Sequence, residues 1–220
     1  MRRTSVSAAK GATVFKNVVT SISELRELFG VPMERARLKE HAELDAHCQA
    51  FIASSPFVLI ATANSRGRCD VSPKGDAPGF VHVLDAKHLV IPDRPGNKRF
   101  DGMGNLLDNP HIGLIFLVPG REDTLRVNGR GCIVRDPDVL ERLTAMGKVP
   151  QLAIGVEVEE AFMHCAKAFR RSGLWDTSRW PDASGLATPQ RILFDHAGLA
   201  DKPYEEYERE SMERLKTTLY

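Results

Sequence analysis

The sequence predicts a mainly β fold of the α+β kind, an antiparallel barrel that is closed or partly split, with helices at its N- and C-terminal ends. Three observations lead there. Six or seven short apolar runs of strand length follow one another between residues 57 and 159, separated by tight turns. Few helical segments lie between them, so the crossovers that a parallel, doubly wound sheet needs are missing. The remaining helical patterns fall before the first run and after the last.

The elements are read in order as follows. Within Ser21–Phe29, Ser21 or Ser23 is an N-cap candidate before a short amphipathic helical run, which Gly30-Val-Pro32 ends. A second, imperfect helical stripe runs from Pro32 or Met33 to Ala53 and stops at Ser54-Ser-Pro56. Phe57–Ala63 is a strand, Asn64-Ser-Arg-Gly67 a turn, and Arg68–Ser72 the returning arm of a hairpin. Phe80–Leu84 and His88–Ile91 flank a turn at Asp85-Ala-Lys87. A short helix over Phe100–Asp108 is ended by Asn109-Pro110, and His111–Val118 is the most apolar strand.

Thr124–Arg135 alternates across Gly129 and Gly131, which predicts one long bent strand with a bulge or a close backbone approach. A helix from Asp136-Pro137 to Met146, a last strand over Ala153–Glu159 and a charged helix in Pro203–Tyr220 complete the chain. We expect one domain over residues 1–220: a helical segment 1–53, a barrel core 54–175 and a C-terminal extension 176–220.

The composition is ordinary for a packed protein, with 42% hydrophobic and 27% charged residues among 220. Thirty basic residues against 29 acidic ones leave a net charge of +1. That balance gives no general case for nucleic acid or an anionic membrane, so any anion site must be local. Cys48, Cys69, Cys132 and Cys165 form no CxxC pair, which argues against a disulfide framework and against zinc. No metal site is expected. Met1-Arg-Arg is not followed by a sustained apolar run, and no stretch approaches the ~20 apolar residues of a membrane span. The expected location is the cytoplasm.

The local anion site is sought in Val90–Phe100, where Arg94, Lys98 and Arg99 follow an apolar run and Pro92, Pro95 and Gly96 enforce an irregular turn. Arginine offers a planar fork of donors and lysine a compact charge, while the start of the next helix adds free backbone N–H groups. Such a set suits a phosphate dianion. The alternative is a solvated basic turn.

Three segments together, Ala61–Asp76, the cationic loop with Asn97-Lys98-Arg99, and Asn105–Pro110, resemble the pyridoxamine 5′-phosphate oxidase-like flavoproteins. The resemblance spans roughly residues 51–175. It implies a split barrel that binds FMN, a homodimer with the cofactor at the subunit interface, and an oxidoreductase acting on a small organic substrate or reductant. It places Cys69, Asp70, Val71, Ser72, Pro73 and Lys74 along the flavin, with Pro92 and Asp93 touching the cofactor. Lys98 and Arg99 hold the phosphate beside Asn97, and Arg94 is a further candidate. Thr124 stands where the B6 oxidase has a glutamine, and Arg126, on the same strand face, is the alternative contact.

Trp175 is a candidate to stack on the ring. A lysine or hydroxyl near the flavin edge, here Lys74 or Ser72, would tune its potential. Ser72–Asp76 is also turn chemistry in its own right. The segment Phe162–Trp175 resembles a subgroup of the same superfamily. His164 and Cys165 are read as a packed or flavin-lining pair, and His41, His47 and Cys48 as residues of a helix face. No residue stands out as a general acid or base. The segment Asp201–Tyr220 lacks the arginine-rich pattern with which the B6 oxidase grips its substrate, so B6 oxidation is not expected. Two further readings stay open: a carrier or sensor that binds flavin, haem or deazaflavin without turnover, and a loop that binds some other phosphorylated ligand.

Overall fold

The computed structural model describes residues 14–199 and 201–218. The stretch Met1–Thr13, read above as lacking an apolar leader, lies outside them. The chain divides into two compact units after Leu38. In the first, α1 (Ile22–Phe29) starts at Ser21, whose hydroxyl accepts the Glu24 N–H at 3.2 Å, and ends at Gly30 with φ +75°. A short α2 (Glu34–Leu38) follows.

The second unit begins at Lys39. The stripe expected to run unbroken to Ala53 is interrupted, and α3 covers only Ala46–Ser54. His41 is not helical: its backbone exchanges two hydrogen bonds with Ala161, at 3.0 and 2.8 Å. Asp45 then restarts the helix by accepting the Cys48 N–H at 2.8 Å. The restart turns Cys48, Phe51 and Ile52 into the core.

Seven strands form one antiparallel sheet: β1 (Phe57–Ala63), β2 (Cys69–Gly75), β3 (His82–Val83), β4 (His88–Pro92), β5 (His111–Leu117), β6 (Thr124–Val134) and β7 (Ala153–His164). Their spatial order is β2-β1-β5-β6-β7-β4-β3. This is the split-barrel, α+β architecture expected. Helix α4 (Asp101–Asp108) lies between β4 and β5, and α5 (Pro137–Arg142) between β6 and β7. After β7 come α6 (Lys167–Ser172), a 3₁₀ turn at Thr177–Arg179, α7 (Pro189–His196) and α8 (Tyr204–Thr217), with Phe194 packed on Tyr204 and Tyr207.

Alternation along the strands sets the two faces of the sheet. Val58 and Ile60 of β1, Leu114 and Phe116 of β5, Leu125 and Val127 of β6, and Val156 and Val158 of β7 point inward and are buried. Each contributes about 1.5–3 kcal/mol of burial, which offsets the conformational entropy of ordering the strands. The long bent strand forms as expected, with a bulge between Asn128 and Gly129. A Cβ at Gly129 would collide with the Glu157 carbonyl oxygen, which fixes glycine there.

Four boundaries differ from the sequence reading. β3 keeps only two residues, because Phe80 and Val81 sink into the core after a turn closed by Phe80 N–H on the Ala77 carbonyl. α5 stops at Arg142 instead of Met146, where Met146 (φ +49°) and Gly147 (φ +72°) form a left-handed turn bridged by Ala145 and Lys148. β7 continues to His164. β2 continues through Gly75, so Ser72–Gly75 is a strand and not a turn. Pro73 is tolerated because β2 lies at the edge of the sheet.

Candidate functional site

A cleft of about 610 Å³ opens between the inner face of β1 and β2, the basic loop after β4, the start of α4 and residues 145–152. Alternation decides which β2 residues reach it. Ser72 and Lys74, opposite Ile60 and Val58, point inward and Ser72 and Lys74 line the cleft. Asp70 shares that face and accepts a hydrogen bond from Asn105 Nδ2 at 2.9 Å, the same amide reaching Thr62 Oγ1 at 3.0 Å. Cys69, Val71 and Pro73 alternate to the outer face.

Two ion pairs cross the split. Lys74 Nζ lies 2.7 Å from Asp93 Oδ1, and Arg94 Nε lies 2.7 Å from Asp76 Oδ2. Arg94 also donates to the Leu143 carbonyl at 2.9 Å. The carboxylates come from either side of the cleft, so Lys74 and Arg94 are both oriented and partly neutralised. Arg94 therefore lines the cleft as a clasp between elements.

Lys98 and Arg99 are presented differently. Asn97 Oδ1 accepts the Arg99 N–H at 3.1 Å and curls the loop. Lys98 (φ +61°) and Phe100 (φ +55°) take left-handed conformations that non-glycine residues adopt at a cost. Lys98 forms no ion pair among the described residues. Arg99 Nε contacts Asp101 Oδ2 at 2.7 Å in an exposed pair. That contact holds the Asp101 carboxyl below its ordinary range. The N–H groups of the first turn of α4 open onto the same end of the cleft, where Phe100, Asp101 and Gly102 contribute to the lining.

Of the residues predicted from sequence, the cleft brings together Ser72, Lys74, Asp93, Arg94, Asn97, Lys98 and Arg99. Pro92 is buried at the end of β4, paired with Ala153. Thr124 and Arg126 lie on the outer sheet face, opposite His164 and Phe162 of β7. Trp175 stacks on Phe169 at 5.7 Å and donates its indole N–H to the Arg121 carbonyl at 2.7 Å. The wall formed by Ala145, Lys148, Val149, Gln151 and Leu152 was missed. The left-handed turn that builds it falls where the sequence predicts the end of a helix, and Gly147 is the available signal.

Comparison with known proteins decides the family. The sequence profile described as pyridoxamine 5′-phosphate oxidase matches residues 44–165, more than half of the chain. The chain belongs to the pyridoxamine 5′-phosphate oxidase family. The matched part of this family member begins just before α3 and ends after β7, so it contains the whole sheet and the cleft. The Asp201–Tyr220 segment lacks the arginine-rich pattern of the B6 oxidase, which sets the chain apart from the oxidase proper.

Several solved structures are similar. HupZ of Group A Streptococcus is 18% identical, with a TM-score of 0.45 over 55% of this chain and 99% of that one. An FMN-binding protein from Syntrophomonas wolfei is 9% identical, with a TM-score of 0.43 over 53% and 83%. General Stress Protein 26 from Bacillus anthracis is 13% identical, with a TM-score of 0.36 over 52% and 88%. No curated protein matches the chain. Among the described residues no three or more His, Cys, Asp or Glu side chains gather as a metal site, and no helix is long and apolar enough to cross a membrane.

Proposed function

We propose that this protein is an FMN-dependent oxidoreductase that acts on a small organic substrate or reductant as a homodimer. The observation that carries the reading is the convergence, on one cleft, of a cationic end and a hydrogen-bonding inner strand. Lys98, Arg99 and the first turn of α4 supply donors for a phosphate dianion. Ser72 and Lys74 line the other side at the level of Ile60, where a flat apolar ring would rest.

The donor set fits FMN. When bound, the flavin supplies the hydride and electron chemistry. The chain's own residues bind and orient. Lys98 and Arg99 hold the phosphate, and Asn97 shapes the loop that presents them. Lys74, fixed by Asp93, stands ready to donate toward an electron-rich ring edge. The cleft volume lies within the ~300–1,000 Å³ of small-molecule sites.

The outer sheet face supports the dimer. Phe57, Ala61 and Val71 are exposed there, and Leu59, Ile115 and Leu117 are half-buried, so β2, β1 and β5 present a continuous apolar surface. A second copy would cover it. Cys69, Val71 and Pro73 would then meet the partner, while Trp175 closes the C-terminal side. We place the FMN-binding core at residues 54–175, flanked by the 1–53 and 176–220 segments. All four cysteines are free thiols, in keeping with the cytoplasm.

The test is the purified protein itself. We expect a flavin absorbance spectrum, FMN by mass spectrometry of the released cofactor, and anaerobic bleaching by NADH or NADPH followed by reoxidation with an acceptor. Bound flavin that no donor reduces would make the protein a carrier. A colourless protein that FMN does not reconstitute would refute the reading.

A further inference from the structure

On the outer face of the sheet, away from the cleft, three basic side chains surround one aromatic ring. Phe162 of β7 is nearly buried and lies opposite Arg126 of β6, with Thr124 opposite His164 in the next row. Lys39 Nζ sits 4.7 Å from the centre of the Phe162 ring, and Arg126 Cζ sits 5.4 Å from it. The His164 ring centre is 5.1 Å away. One cation over a phenyl ring is an ordinary stabilising contact. Two cations on the same ring, with an imidazole beside them, repel one another and call for an anion.

None is supplied by the described residues. Neither Lys39 nor Arg126 has an ion-pair partner among the described residues. Lys39 donates to the Met163 carbonyl at 2.8 Å, and Arg126 Nε donates to Asn128 Oδ1 at 3.2 Å. The Glu160 carboxylate, linked to Arg126 through Asn128, accepts from Asn128 Nδ2 at 2.8 Å. Two donors of the Lys39 ammonium and the terminal fork of Arg126 are left over. Burial, then Lys39, then Arg126 lower the His164 pKa, which fits all three groups facing one volume.

We propose that Lys39, Arg126 and His164 form a second anion-binding site, built around Phe162, for the phosphate or carboxylate group of a small molecule. The half-exposed Arg126 fork and Lys39 ammonium grip the oxyanion, and Phe162 is the apolar floor beneath it. His164 stands beside them against the same ring, where a bound oxyanion would favour its protonated form. The site is assembled from β6, β7 and the segment before α3, and it shares no residue with the Lys98–Arg99 loop.

The test follows the His164 imidazole by NMR in the full-length protein. Inorganic phosphate, and acetate in a parallel arm, are added at constant ionic strength with chloride as the reference. We expect a saturable shift of the His164 signals and a higher midpoint for its titration with at least one of the two anions. The responding arm separates a phosphate from a carboxylate ligand. Lys39→Gln and Arg126→Gln should each weaken the response about tenfold, with the fold of each variant checked by near-UV circular dichroism.

Lys98→Ala with Arg99→Ala should leave the response intact, whatever that variant does to flavin binding. Absence of saturation in both arms, or an unchanged response in folded Lys39→Gln and Arg126→Gln, would overturn the inference. So would loss of the response in the Lys98→Ala/Arg99→Ala variant, because the anion would then belong to the cleft.

Discussion

Lys74 of β2 and Asp93, the residue after β4, meet at 2.7 Å across the one junction of the sheet that has no backbone ladder. Their neighbours Asp76 and Arg94 repeat the contact with the charges exchanged. β2 stands at one end of the strand order and the β4–β3 pair at the other. The split side is therefore held by side chains, and those side chains line the cleft.

The two pairs differ in burial, which predicts different costs. The Asp76 side chain is only 4% exposed and Arg94 17%, against 20% and 26% for Asp93 and Lys74. Asp76→Ala deprives a largely buried guanidinium of this carboxylate and should destabilise the fold by about 3 kcal/mol. Lys74→Ala should cost about 1 kcal/mol. Urea unfolding of both variants checks the order, which equal losses would contradict.

Glycines give a second contrast. Gly129→Ala should destabilise severely, by about 3 kcal/mol or more, because the added methyl meets backbone that cannot yield. Gly104 lies in the middle of α4, exposed, with open space where a Cβ would stand. Gly104→Ala should stabilise by about 0.5–1 kcal/mol through helix propensity. Thermal melts of the two variants should move in opposite directions.

Most of this architecture was legible in the sequence because strands and turns announce themselves locally. Phe57–Ala63 stands where its apolar, partly β-branched run and Asn64–Gly67 put it, and the bulge at Gly129 was signalled by a glycine inside a strand pattern. What failed depended on contacts distant in sequence. The break at His41 is made by Ala161, and the extension of β2 through Pro73 requires knowing that β2 is an edge. At the site, Arg94, Asn97, Lys98 and Arg99 could be chosen by residue type, and Ser72, Lys74 and Asp93 by the family resemblance. That Arg94 is taken by Asp76, or that Lys148 and Val149 form the facing wall, could not.

The thiols should react in a fixed order. Burial pushes the Cys48 thiol up to about 11, so it should resist alkylation in the folded protein. Cys165 is exposed, and the backbone N–H of Lys167, with the charges of Lys167 and Lys39, lowers its pKa. At pH 7.5, limiting iodoacetamide followed by peptide mass analysis should label Cys165 well before Cys48. In urea the difference should vanish. Early labelling of Cys48 in the folded state would place α3 elsewhere.

The proposed dimer can be broken without touching the core. Val71 is exposed on the outer face, so Val71→Arg is tolerated by an isolated subunit and opposed by an apolar interface. Light scattering should give a dimer for the parent protein and a monomer, or a dimer weakened at least tenfold, for the variant. A parent that is monomeric at all concentrations would rule out the shared interface.

The central claim is that Lys98 and Arg99 recognise a flavin through its phosphate. The most direct measurement is a fluorescence titration of flavin-free protein with FMN and with riboflavin, which differ only in that group. We predict that FMN binds at least about 100-fold more tightly than riboflavin, as two charge-assisted contacts warrant. The preference should fall to less than about tenfold in Lys98→Ala with Arg99→Ala, with riboflavin affinity little changed. Equal binding of the two flavins by the parent protein, or an undiminished preference in the double variant, would contradict it.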